Sequence, residues 1–173
     1  MIYLEKDLVE FYYHFHNEQH YFLCHDILEE AWKSEPKFTK RDPIVSLILL
    51  ATGCYHYRRE NYKGAKRSFQ KALNIVLECS SAQISMLGII GEDYVETLKG
   101  LIFKSEHLYP FTPVAIPLTP IMITNIKRYY PDYRITLHVV ESNLIKNHHI
   151  YRDRTEVIKA RAIAMNERKK KRE

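Results

Sequence analysis

His25, Asp26, Glu29 and Trp32 fall within one short stretch, Cys24-His25-Asp26-Ile27-Leu28-Glu29-Glu30-Ala31-Trp32, and these residue types bind ions or move protons. At the helical period of about 100° per residue, His25, Glu29 and Trp32 share the border between an apolar arc (Cys24, Ile27, Leu28, Ala31) and a polar one (Asp26, Glu30, Lys33). Adding His56 from further along the chain gives two imidazoles and a carboxylate. His25, Glu29 and His56 are therefore the candidate ligands of a divalent metal, with Asp26 as a supporting or alternative ligand. The same groups suit acid–base chemistry, because a carboxylate beside a histidine fixes its tautomer and makes it a general base. A third assignment is architectural. His25, Glu29, Trp32 and His56 would then close a hydrogen-bonded network that sets helix register, with the indole packed on the core.

Several chemistries are excluded. No His-Glu-x-x-His pattern is present, so the zincin arrangement fails. The chain has five glycines and no glycine-rich phosphate loop, no cofactor fingerprint and no nucleophile in a recognised context. A divalent metal is the one cofactor that the residues point to.

Helices must position these groups. Leu4, Leu8, Phe11, Tyr12 and Phe15 predict a helix over 4–15, closed by the polar break Asn17-Glu18-Gln19, and a second helix follows over 20–34. Asp42-Pro43 reads as N-cap and first turn of a third helix running to Arg59. Its stretch Ile44-Val45-Ser46-Leu47-Ile48-Leu49-Leu50-Ala51 is apolar nearly all round, which marks it as the buried centre. Over 62–79, Ala65, Phe69, Ala72, Leu73 and Val76 face inward while Lys63, Lys66, Arg67 and Lys71 face solvent. Asn61 and Gly64 form the turn before it, and the small residues Gly53, Ala65 and Ala72 let two helices approach closely, as in one tetratricopeptide-type pair that is not repeated. A fifth helix is expected over 92–107 with Tyr94, Val95, Leu98, Leu101 and Ile102 inward. Five of the seven prolines then crowd into 108–135, where the apolar Phe111, Val114, Ile116, Leu118 and Ile121 argue for an ordered strap with a short helix over 120–129. The region 137–173 reads as helical and increasingly basic.

Charge is distributed unevenly. Residues 1–35 hold eight acids against Lys6 and Lys33, a net of −6, which leaves +11 on the rest of a chain whose total is +5. The acidic third also holds His14, His16, His20 and His25, as a cation site would require. The basic remainder, with Lys127-Arg128-Tyr129-Tyr130, Arg152, Arg154 and the terminal Arg168-Lys169-Lys170-Lys171-Arg172, suits an anionic partner such as nucleic acid. Interspersed acids (Asp132, Asp153, Glu156, Glu167) make that partner the weaker expectation. No apolar run spans a membrane and Glu5, Lys6, Asp7 and Glu10 occupy the place of a signal peptide, which points to a cytoplasmic protein without membrane attachment. Cys24, Cys54 and Cys79, odd in number and set in apolar helical patterns, read as reduced core thiols. Most of the thirteen tyrosines read as boundary residues, rings inward and hydroxyls at the surface.

Phe15-His16-Asn17, Tyr21-Phe22, His25-Asp26-x-x-Glu29-x-x-Trp32, the apolar helix ending Tyr55-His56, and Asn61-x-x-Gly64-Ala65 together resemble the bacterial and archaeal domain-of-unknown-function 309 family over about residues 11–80. That family's pattern has Glu where this chain has Asp26, and Gly where it has Glu60. The resemblance implies a compact all-helical fold and no assigned reaction.

The expectation is thus an all-α protein: a helical bundle over 1–107 around a central buried helix, a proline-rich strap over 108–135, and a C-terminal helix with a basic tail over 136–173. A binding or scaffold module that engages another protein, as a monomer or small homo-oligomer, is favoured over an enzyme. The polar cluster His25, Asp26, Glu29, Trp32 and His56 is its candidate site.

Overall fold

The structure is a computed structural model, and residues 2–142, 145 and 155–172 are described. It is mostly helical, with α1 (Ile2–Tyr13), a π-helical turn (His14–Glu18), α2 (Tyr21–Lys33), α3 (Pro43–Arg58), α4 (Tyr62–Glu78), α5 (Ser81–Ser85), α6 (Gly91–Glu106), α7 (Pro120–Tyr129) and α8 (Thr155–Arg172). Among the described residues there is no strand, only an isolated antiparallel bridge between Ile89 and Leu118. No helix among them is long and apolar enough to cross a membrane.

Local chemistry starts several of these helices. Asn61 Oδ1 accepts from Gly64 N at 3.0 Å and starts α4, the Ser80 and Gln83 side chains form a reciprocal capping box on α5, and Thr119 with Pro120 opens α7. Asp42 sits at the N-cap of α3 without a capping bond, because its carboxylate is already engaged by Thr39 and Trp32.

The apolar α3 is the centre of the bundle, packed against α2 and α4, with α6 against α4 and reaching α3 through Tyr94, and α1 against α2 and α7. Leu47, Leu50, Ala51 and Cys54 are completely buried, each large side chain contributing about 1.5–3 kcal/mol. A methyl group at Gly53 would run into the Phe69 ring, so glycine is what lets α3 and α4 approach there. One polar knot crosses three helices: Ser46 Oγ donates to Ala72 O at 2.9 Å, and the buried Tyr94 hydroxyl lies 2.8 Å away with its proton free to donate to Ser46.

The proline-rich segment is an ordered strap. Ile90 N donates to Pro117 O and Thr119 N to Gly88 O, which bury Val114, Ile116 and Leu118 against the bundle. Ile121 is 75% exposed because α7 turns its Met122 and Ile126 face to the core.

Other expectations need correction. The break between the first two helices is shorter than 17–19: the backbone continues from α1 into a π-helical turn through Glu18 and leaves the helix at Gln19, which adopts a left-handed φ of 56°. Tyr12, Tyr21, Tyr57 and Tyr94 lie in the core rather than at its boundary, and Tyr55 is also buried; Tyr12 keeps its hydroxyl satisfied by donating to Leu87 O at 2.7 Å. Cys24 and Cys54 are buried free thiols, while Cys79, at the C-terminal end of α4, is only half-buried. Residues 137–142 are non-helical, their backbone being taken up by the Gln19 side chain. The rest of the helix expected over 136–173 lies outside the described residues between 143 and 154, Ile145 apart, and α8 supplies its final part.

Candidate functional site

α2 carries the sequence cluster along one edge. Its buried face is Tyr21, Cys24, Leu28 and Ala31, and the i, i+4 spacing sets His25 and Glu29 one turn apart beside that face. His25 Nδ1 lies 3.2 Å from Asp26 Oδ1 and 3.6 Å from Glu29 Oε2. All three side chains are half-buried, and one potential ligand atom from each lies within 4.8 Å of the other two. Lys33 reaches back along the helix to Glu29 Oε1 at 2.7 Å. The polar partners of His25 and Glu29 among the described residues therefore stay on α2 itself.

His56 and Trp32 do not join them. His56, near the end of α3, accepts a hydrogen bond at Nδ1 from Asn61 Nδ2 at 3.2 Å, and it is not part of the three-residue group. Burial, and next the Arg59 charge, pull its pKa below the ordinary histidine value. Trp32 points its indole N–H at the loop between α2 and α3, donating to Thr39 O at 2.9 Å and Asp42 Oδ2 at 3.1 Å, with Phe38 packed edge-on against the ring. A network joining His25, Glu29, Trp32 and His56 is thus not what the polar contacts build: Trp32 fastens a loop and His56 a helix turn.

Two strongly buried polar residues complete the picture: His16, which sequence reasoning grouped with the histidines of an acidic segment, and Arg58, which it passed over. His16 is 1% exposed. Its Nε2 accepts from Ile116 N at 2.9 Å, which puts the ring proton on Nδ1, 2.7 Å from the Tyr133 hydroxyl. Burial pushes its pKa down to about 3, so the ring is neutral. Its neighbours do similar work. Asn17 donates to Asp132 O and accepts from Arg134 N, and its own carbonyl accepts from Thr136 Oγ1 at 2.7 Å. Gln19 donates to His138 O at 2.7 Å and accepts from Val140 N at 2.9 Å. The π-helical turn and Gln19 after it are in this way a clamp that holds the strap at Ile116, at its C-terminal end and along the residues that follow it.

Arg58, 6% exposed at the end of α3, donates to Gln19 O at 2.7 Å and Ile145 O at 3.4 Å, and its guanidinium carbon stands 4.8 Å from the Tyr21 ring centre. A signal for both residues was present. Leu8, Tyr12 and His16 are four apart, and Leu47, Ala51, Cys54 and Arg58 follow one apolar stripe, so each polar residue ends a row of core positions.

The family model described as "Domain of unknown function (DUF309)" matches residues 8–68 of the chain. The chain is 29% identical over 172 residues to "Uncharacterized protein YpuF" of Bacillus subtilis (strain 168), an alignment that covers 97% of this chain and 98% of the relative. No solved structure matches significantly. The glycine usual in that family's pattern at position 60 has a physical reason here, because Glu60 sits at φ 63°, a left-handed conformation that favours glycine.

Proposed function

Proceeding from a DUF309 match over residues 8–68, we propose that the protein is a helical binding module whose working face is the His25, Asp26 and Glu29 edge of α2, and that this face takes a divalent cation. One observation carries the reading: the three side chains supply a nitrogen and two carboxylate oxygens within 4.8 Å of one another. Nitrogen and oxygen ligands of this kind suit zinc, manganese or nickel, and three ligands from a single helix edge leave coordination positions open for water or a partner's side chain. By contrast His16, Asn17, Trp32 and Asn61, from the same resemblance, are spent on architecture. Glu29 faces His25 through Oε2 while Lys33 holds Oε1, so the ion would compete with the Lys33 charge rather than displace it, and affinity should rise when Lys33 is removed.

Calorimetric titration of Zn2+, Mn2+ and Ni2+ into chelator-treated protein tests this. Saturable binding is expected in the wild type, at least tenfold weaker binding in His25→Ala and Glu29→Gln, and unchanged binding in His56→Ala. Absence of saturable binding below about 1 mM, or equal binding in His25→Ala, overturns it.

A second reading rests on α8, where seven bases face two acids over Thr155–Arg172 and residues 165–171 are all exposed. Such a helix suits non-specific contact with single-stranded nucleic acid. Affinity should then fall steeply with salt and drop on deletion of 166–173; an affinity untouched by that deletion removes the reading.

A further inference from the structure

Arg58 is, among the described residues, a buried cation without a buried anion, the exposed Glu141 being the carboxylate whose charge bears on it. Among the described residues no carboxylate forms an ion pair with it: the ion pairs involve His14, His25, Lys33, Lys66 and Lys99 instead. Its Nε is buried and has no acceptor. Two carbonyls, a tyrosine face and the negative end of α3 offset part of the charge, but removing a guanidinium from water normally demands a carboxylate or phosphate oxygen as well.

Beside it lies a cavity of about 310 Å³, open to solvent on one side and lined, among the described residues, by three separate parts of the chain. The end of α3 and the turn into α4 contribute Arg58, Glu60 and Tyr62; the start of the strap contributes Phe111; its return contributes Val140 and Glu141. Tyr57, also on the wall, donates its hydroxyl to Tyr109 O at 2.6 Å and ties the strap down at this point. The wall is thus sorted by charge and polarity. Arg58 is buried, Glu60 and Glu141 are exposed, and half-buried apolar and aromatic groups lie between.

This sorting disfavours a simple anion, which the two glutamates would repel, and a simple cation, which Arg58 would repel. It suits a molecule that carries both charges a few ångströms apart with an apolar body. We propose that the cavity binds a free α-amino acid, its carboxylate at Arg58, its ammonium group at Glu60 and Glu141, and its side chain against Tyr62 and Phe111. The volume is in the range of small-ligand sites. Glu60 adds a supporting observation: it keeps a left-handed backbone where glycine would be relaxed, and what it gains there is a carboxylate on the cavity wall.

The test is a binding screen of the twenty free L-amino acids against the full chain by calorimetry. At least one should bind saturably below about 10 mM, and its N-acetyl and carboxamide derivatives should each bind at least tenfold more weakly. Arg58→Lys should lose at least tenfold in affinity. Because Arg58 also holds Gln19, the double variant Glu60→Gln/Glu141→Gln, at two exposed positions, provides an independent reading and should lose at least tenfold while melting within a few degrees of wild type. No saturable binding by any of the twenty, or equal binding of the N-acetyl or carboxamide form, or an unaffected double variant, overturns the proposal.

Discussion

His16 Nδ1 and the Tyr133 hydroxyl lie 2.7 Å apart across 117 residues of sequence, and the opposite ring nitrogen is held by the backbone of Ile116. A neutral imidazole is the only form that fits, since a proton on Nε2 would face the Ile116 N–H.

Acid should therefore unlock the strap. The folded pKa of His16, about 3, lies below its ordinary value of 6.5, so the unfolded chain binds the extra proton first. The stability due to the neutral ring is complete above about pH 6.5 and is lost as the pH falls toward 3. Between pH 7 and pH 5 this amounts to about 2 kcal/mol. Urea unfolding at both pH values should show that loss in wild type and a smaller one in His16→Gln. Equal pH dependence in the two proteins would exclude the mechanism.

Trp32 should matter for its N–H as much as for its ring. Trp32→Phe keeps an aromatic against Phe38 but strands Thr39 O and Asp42, at a cost of about 1 kcal/mol. Asp42→Ala made on the Trp32→Phe background should cost less than on wild type by about 0.5–1 kcal/mol, measured by denaturant titration of all four proteins. Full additivity would mean that the indole and the carboxylate act independently.

Gly53→Ala should destabilise by about 1–3 kcal/mol through its collision with Phe69. Phe69→Leu in the same chain should recover part of that loss even though it is harmful alone. A double variant no more stable than the sum of the two losses would show that the collision is relieved elsewhere.

The fold was legible where one periodicity decided it. α3 and α4 follow directly from an apolar run opened by Asp42-Pro43 and from the alternation of Ala65, Phe69, Ala72 and Val76 with lysines and arginine. The site was legible only as a local cluster. Spacing placed His25 beside Glu29, because one turn of helix is short-range geometry, but it carried no information on whether α3 would bring His56 to them. His56 turned instead to Asn61, five residues away. The clamp at 14–19 was hidden for a related reason: polar residues in series look like a loop unless the backbone that they bind, more than a hundred residues on, is known. Arg58 escaped notice because a charged residue at a helix end usually lies in water.

The clamp also orders events in time. Asn17 is joined to Thr136 across 119 residues, and at a synthesis rate of roughly 5–20 residues per second the first turn waits roughly 6–24 s for its partner to be made. Throughout that interval the side chains of Asn17 and Gln19 lack the backbone partners that hold them in the finished chain, and His16 lacks Tyr133 for nearly as long. The newborn bundle is therefore a structure held open at its N-terminal end, and the strap is the last piece to close it.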